Sequence, residues 1–286
     1  MAERTLGVIG GSGLYELDGL ESVERRRVST PFGDPSDEVV IGRLGDTRLV
    51  FLPRHARGHR LLPTELPFRA NIYALKQLGA EWIVAVSAVG SLREEIAPGH
   101  VVVPDQFIDR TQGRESTFFG RGVVAHVQFA DPLCPNLSRV LVESARSLGA
   151  IVHAGGTYVC MEGPHFSTRA ESHLYRSWGA QVIGMTNLQE AKLAREAEVC
   201  FATLALATDY DCWNTAHADV AIDDILRVLS ANVDLARRTV AYVAGRLPAR
   251  AGCPCPSALE HAIITDRAAI PADVRRDLQP IAGRVL

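Results

Sequence analysis

The chain has 286 residues, 47% of them hydrophobic, with 30 Lys+Arg against 33 Asp+Glu and a formal net charge of −3. That is enough apolar material for a large core in one big domain or two small ones, and it excludes a general basic field for nucleic acid. No apolar run approaches the roughly 20 residues of a membrane helix and "MAERTLGVIGG" lacks the apolar core of a secretory signal, so a cytoplasmic protein without membrane partners is expected.

The first apolar run, Leu6–Gly10, ends in Gly10-Gly11-Ser12-Gly13. Glycines let backbone N–H groups approach a ligand, and a serine hydroxyl adds a donor, a combination that suits phosphate. The spacing is neither that of a dinucleotide fingerprint nor that of a P-loop. Strand candidates Glu38–Arg43 and Thr47–Leu52 follow, and the second runs into Pro53-Arg54-His55-Ala56-Arg57-Gly58-His59. Arg54 offers a planar donor fork, and His55 and His59 add donors whose charge is tunable near neutral pH. A helical pattern spans Pro67–Leu78, then Trp82–Ser87 reads as a buried strand ending in Ser87-Ala88-Val89-Gly90-Ser91. Each of these stretches alone also fits a plain turn or a surface basic loop.

Further strands are expected at His100–Pro104, Gly156–Met161, Gln181–Met185 and Val199–Thr208, and helices at Asn136–Leu148, Thr168–Trp178, Leu188–Ala197 and Ile222–Ala244. Gly79, Gly149 and Gly179 stand where C-cap glycines belong. This alternation predicts an α/β fold, a single-domain sandwich with a mixed β-sheet flanked by helices. Ligands in such sheets bind outside the carboxyl ends of strands, which draws attention to Thr186 as well. The strand before Asp209-Tyr210-Asp211 ends in two carboxylates. Residues i and i+2 of an extended chain point to one side, so these acids are expected to converge. One can accept from an exocyclic amino group while the other, if protonated, donates to a ring nitrogen, a pattern that suits an adenine edge.

Composition shifts at "LPARAGCPCPS". Residues 1–248 read as the catalytic domain and 249–286 as a linker with a short helical arm. Of six cysteines, Cys134, Cys160, Cys200 and Cys212 read as mostly buried small hydrophobes. Cys253-Pro-Cys255 would need a second ligand pair to hold zinc, and only His261 is near in sequence, so no metal is expected.

The stretches "GVIGGSGLYEL", "TPFGDPSDEVVIG", "LPRHARGH", "MEGPHFSTRAES" and "WGAQVIGMTNLQEAKLAREAEVCFATLALATDYDCW" resemble the 5′-methylthioadenosine phosphorylases, within the trimeric purine nucleoside phosphorylases. The match is dense from about residue 5 to about residue 246. The resemblance implies phosphate-dependent cleavage of an N-glycosidic bond with no metal or organic cofactor, inorganic phosphate being a co-substrate. It puts phosphate on Ser12, Arg54, His55, Ser87, Ala88 and Thr186, the ribose on Met185, and the base on Phe166, Asp209 and Asp211. It sends His126 into a neighbouring subunit's site, with a trimer or dimer of trimers, and marks Ser167 and Ile222 as specificity positions. An asparagine replaces Asp209 in relatives acting on 6-oxopurines, so Asp209 implies 6-aminopurines.

Asn187 and Gln189 depart from the family pattern beside Thr186. The Cys-Pro-Cys tail resembles a Cys-x-Cys of heat-stable relatives, and the same resemblance makes Cys134 and Cys200 candidates to pair. Competing readings are a methylthioinosine or ordinary purine nucleoside phosphorylase, a hydrolase relative, and a non-catalytic nucleotide-binding regulatory module.

Overall fold

Central strand β5 (Trp82–Ser91) joins most of the sheet together. The computed structural model describes residues 3–11, 14, 17–214 and 222–286, the side chains of 222–227 and 229–231 lying outside that description. β5 runs parallel to β1 (Arg4–Gly10) on one edge and to β11 (Cys200–Asp209) on the other. Beyond β1 lie β4 (Thr47–Pro53), β3 (Val39–Leu44) and the edge strand β2 (Glu21–Arg26). Through its last residues β5 meets β10 (Val182–Gly184) antiparallel, followed by β9 (Thr157–Met161) and β7 (Gln106–Arg110). β11 also pairs β6 (Val101–Val103), and β6 pairs β8 (Val152–Ala154). The sheet is mixed, as the alternation predicts.

Helices cover both faces. α1 (Phe68–Gln77) and α4 (Asn187–Glu196) pack one apolar cluster with Ile9, Ile83 and Phe201. α2 (Pro135–Ser147) and α5 (Ile222–Ala244) pack the other with Leu6, Val84 and Leu204. Each fully buried Leu, Ile or Phe contributes about 1.5–3 kcal/mol. α3 (Arg169–Ser177) starts at Thr168, whose hydroxyl accepts from the Glu171 N–H in a capping box. Gly79, Gly149 and Gly179 all take positive φ after their helices. No described helix is long and apolar enough to cross a membrane.

β2, β7 and β8 are absent from the sequence reading. All of β2 is exposed and every residue but Val23 is polar, so no apolar period marks it. A second difference affects the site: Ser87 to Ser91 belong to β5 rather than to a loop after it. β1 pairs with β5 only as far as Ala85, and β10 joins that edge only at Gly90. Among the described residues, the edge from Val86 to Val89 therefore has no strand beside it there, and a crevice opens.

Residues 249–286 fold back on the main core. Leu259, Ile270, Leu278 and Ile281 join the α1/α4 cluster, and α6 (Ala272–Asp277) and α7 (Gln279–Ala282) lie beside α1. Cys253 and Cys255 sit with Cys134 and Cys200 in the opposite cluster. Proximity along the chain had offered only His261 as a further ligand, and that residue is exposed.

Candidate active site

The crevice beside β5 deepens into a cavity of about 630 Å³. At one end Gly10 and Gly11 close β1, Arg54 and His55 follow β4, and Ser87, Ala88 and Thr186 approach from β5 and the start of α4. At the other end Gly90, Asp209, Asp211 and Phe166 line the wall, and Met185 lines it as well. Three residue steps of strand lead from Ser87 to Gly90, a span of about 10 Å.

Arg54 is buried and held on three sides. Its Nε donates to Glu190 Oε1 at 2.5 Å, one Nη to Oε2 at 3.1 Å, and the other Nη to the Val86 carbonyl at 3.0 Å. Burial penalises the guanidinium charge, but the Glu190 carboxylate holds its pKa above the usual value. Among the described residues these bonds use three of the five N–H groups, leaving two for an anion. Asn187 Nδ2 donates to Glu190 Oε2 at 3.0 Å, and the Asn187 carbonyl oxygen accepts from Thr203 Oγ1. Gln189 is pinned in turn, its Nε2 donating to Thr111 Oγ1 at 2.8 Å. Of the two departures, Asn187 thus fixes Glu190, and Gln189 ties the first turn of α4 to Thr111. Thr186, the N-cap residue, makes no side-chain bond to its own helix.

His55 differs from expectation. Its Nδ1 lies 2.8 Å from the Leu61 carbonyl, which only accepts, so Nδ1 carries the proton. Burial pushes the imidazole down to about 4. The ring is neutral at pH 7, and its one N–H is already engaged. Its face stacks on His59, with ring centroids 4.3 Å apart. Ser87 Oγ lies 3.3 Å from the hydroxyl of buried Tyr158. A Cβ on Gly184 would sit 1.9 Å from that hydroxyl, so only glycine leaves Tyr158 its place.

The two acids converge, but not along an extended chain. The register of β11 shifts between Ala207 and Asp209, and Asp211 opens a 3-10 turn with φ +52°, a left-handed conformation that Asp tolerates better than most residues. Asp209 Oδ1 accepts from the Asp211 N–H at 2.8 Å, and Oδ2 accepts from Thr208 Oγ1 at 2.7 Å. Asp211 Oδ2 accepts from Ser172 Oγ at 2.6 Å. Burial raises both carboxyl pKa values against these hydrogen bonds. Repulsion between the two acids adds only a minor push from Asp211 on Asp209. Gly90 makes the room: a Cβ there would stand 3.1 Å from Asp209 Oδ1 and 3.3 Å from the Asp211 Cβ.

The remaining predicted residues are placed less centrally. Ser12 lies outside the described residues, although its neighbours Gly10, Gly11 and Leu14 line the cavity. Ile222 begins α5, but its side chain lies outside the description; Val233 and Ala236 of the same helix line the cavity. Ser167 stands beside Phe166 with its hydroxyl 3.4 Å from Met161 Sδ, off the cavity wall. His126 is exposed and away from the cavity of its own chain. Glu190, Tyr158 and Ser172 were missed by sequence reasoning. For Glu190 the available signal was its position three residues after Asn187, on one face of α4.

Known proteins resemble this chain along most of its length. The family model of the phosphorylase superfamily matches residues 5–244. An S-methyl-5′-thioadenosine phosphorylase of Geobacter sulfurreducens is 61% identical over 282 residues, covering 98% of this chain and 99% of the relative. One from Koribacter versatilis is 56% identical, covering 98% and 96%. Among solved structures, a methylthioadenosine phosphorylase from an Antarctic soil metagenomic library superposes with a TM-score of 0.92 at 46% identity, covering 98% of this chain and 99% of the other. The Schistosoma mansoni methylthioadenosine phosphorylase in complex with adenine superposes with a TM-score of 0.81 at 38% identity, covering 85% and 91%.

Proposed function

The chain belongs to the phosphorylase superfamily, and from that premise we infer that it cleaves the N-glycosidic bond of 5′-methylthioadenosine with inorganic phosphate. The products are adenine and 5-methylthioribose 1-phosphate. One observation carries this reading: a single cavity has anion-binding groups at one end and two carboxyls with raised pKa at the other, Asp211 buried and Asp209 half-buried, separated by about the length of a ribose with its substituents.

Phosphate lies against Arg54, His55, Ser87, Ala88 and Thr186, the resemblance adding Ser12, and the adenine edge lies against Asp209 and Asp211. A phosphate oxygen adds to C1′ as the C1′–N9 bond breaks. Positive charge builds on the ribose and is stabilised by the phosphate dianion beneath it. The electron pair of the broken bond passes into the purine, and the proton of Asp209 goes to N7, so adenine leaves neutral. Asp211 accepts from the 6-amino group. Met185 packs on the ribose and Phe166 beside the base, and the resemblance marks Ile222 and Ser167 as the specificity positions. The reaction uses neither metal nor organic cofactor.

The reading includes a homo-oligomer, a trimer or a dimer of trimers, in which His126 reaches a neighbour's site. The surface around His126 supports it: Val124 and Ile264 are 51% and 65% exposed and joined by a backbone hydrogen bond of 2.9 Å.

The test is adenine release from 5′-methylthioadenosine with and without phosphate, beside methylthioinosine, adenosine and inosine. Release is expected only with phosphate, with methylthioadenosine preferred over the oxopurines by at least about a hundredfold. Equal release without phosphate would mark a hydrolase. No release would mark a binding module.

His55 makes a separate prediction. Neutral above about pH 4, it must gain a proton to donate to phosphate, or receive one from a monoanion. Phosphate binding is therefore expected to take up a proton at pH 8, measured by calorimetry in buffers of different ionisation enthalpy. His55→Gln should abolish that uptake and raise the phosphate KM by about tenfold or more, one charged hydrogen bond. Unchanged uptake in the variant removes His55 from the phosphate site.

A further inference from the structure

Among the described residues, a cluster of metal-ligating groups lies outside the cavity, at the opposite end of β11. Cys134, Cys200, Cys253 and Cys255 place their sulfurs all within 4.8 Å of one another. Cys253 Sγ is 3.5 Å from Cys134 Sγ and 3.7 Å from Cys200 Sγ. All four residues are buried, at most 8% exposed, in an apolar shell shared by α2, α5 and β11.

We propose that these four cysteines form a structural tetrahedral zinc site that fastens the C-terminal arm to the sheet. Zinc bound by thiolates at about 2.3 Å puts the sulfurs of a regular tetrahedron about 3.8 Å apart. The separations here match that edge. A pair of disulfides would draw the sulfurs into two couples about 2.05 Å apart. Instead Cys253 stands against two cysteines from different elements at nearly equal distance, as a ligand around a common centre does. Four soft thiolates with no oxygen ligand among them suit zinc and exclude the hard cations.

The chain holds the ligands from three places. Cys134 is the N-cap residue of α2, and its N–H donates to the Phe201 carbonyl at 2.8 Å, so it is fixed beside Cys200. The partial positive charge of a helix N-terminus favours thiolate at that position. Cys253 and Cys255 arrive on the segment after α5, where the Cys253 N–H closes a turn on the Arg250 carbonyl at 3.1 Å. The sulfurs therefore join α2, β11 and the arm, which apolar packing, the ion pairs Arg250–Glu81 and Arg284–Glu198, and hydrogen bonds such as that of the Leu259 N–H to Glu198 at 3.0 Å also fasten. Cys200 opens β11 and Asp209 ends it, about 30 Å apart along an extended strand. The site therefore stabilises the fold and takes no part in the reaction. It stands independently of the phosphorylase reading.

The experiment is elemental analysis of the full chain, purified from cells supplied with zinc, with a reductant present. About one zinc per chain is expected, released stoichiometrically by an organomercurial and reported by a zinc-binding dye. Cobalt exchanged into the site should give the visible bands and thiolate charge-transfer absorption of tetrahedral sulfur coordination. Cys255→Ser should lower zinc content at least tenfold, whereas Cys160→Ser should retain it. The wild-type measurements stand even if the Cys255 variant fails to fold. A folded chain without metal, a chain carrying iron in place of zinc, or one whose mass shows two disulfides after purification under these conditions overturns the proposal.

Discussion

Asp209→Asn is expected to lower kcat/KM for 5′-methylthioadenosine by about 10²–10³, the range for loss of a positioned general acid. The substitution is nearly isosteric. The amide oxygen can still accept from the Asp211 N–H, so the turn at Asp211 and the fold should survive, with little change in Tm. What disappears is the proton for N7. Burial raises the wild-type carboxyl pKa above its ordinary value. An acid that must be protonated works below its pKa, so wild-type kcat/KM should fall as pH rises through that raised pKa. The variant should lack this limb. An asparagine also offers an amide donor to a 6-oxo group, so the ratio of methylthioinosine to methylthioadenosine activity should rise. Activity on methylthioadenosine within threefold of wild type would remove Asp209 from the role of acid.

Much of this site is legible in the sequence because strand ends are legible. Arg54 and Thr186 follow runs of Val, Ile and Leu, and Asp209 ends one, where chemistry abrupt enough to interrupt an apolar strand stands out. Ser87 is readable for the same reason, although the strand continues past it to Ser91. Residues that act through other residues are not legible. Glu190 sits in a helix with charged neighbours, and nothing local separates a buried carboxylate gripping Arg54 from a solvated one. The carboxyl pair is visible, but the cause of its raised pKa is burial by the whole fold, which no spacing reports. His55 reads as a tunable donor until the Leu61 carbonyl is seen to hold its N–H. Strand β2 shows the same limit, since its exposed residues carry no apolar period and its place is set by pairing with β3. The cysteine cluster is hidden by distance, with Cys134 and Cys253 separated by 119 residues.

Glu190→Ala tests the other end of the cavity and should have the largest effect on stability. Removing one partner of a buried ion pair leaves an uncompensated charge and costs about 3–5 kcal/mol, a fall in Tm of about 10 °C for a chain of this size. Its effect on phosphate is a contest of two terms. Losing a carboxylate makes the pocket more positive, which alone would tighten phosphate binding. Losing the bidentate grip frees the Arg54 fork to rotate away from the two N–H groups it presents. In a dry site, hydrogen-bond geometry fixes most of the interaction, so misorientation should win, raising the phosphate KM about 10–100-fold with a smaller change in kcat. A second measurement separates stability from function. The double variant Arg54→Ala/Glu190→Ala has no lone buried charge, so its Tm should recover part of the loss seen in Glu190→Ala. Its use of phosphate should nevertheless be worse than that of either wild type or Glu190→Ala, because the guanidinium is gone. Tighter phosphate binding in Glu190→Ala would show that Glu190 restrains the charge of the site rather than aiming Arg54. A double variant less stable than Glu190→Ala would show that the pair is held by packing rather than by charge.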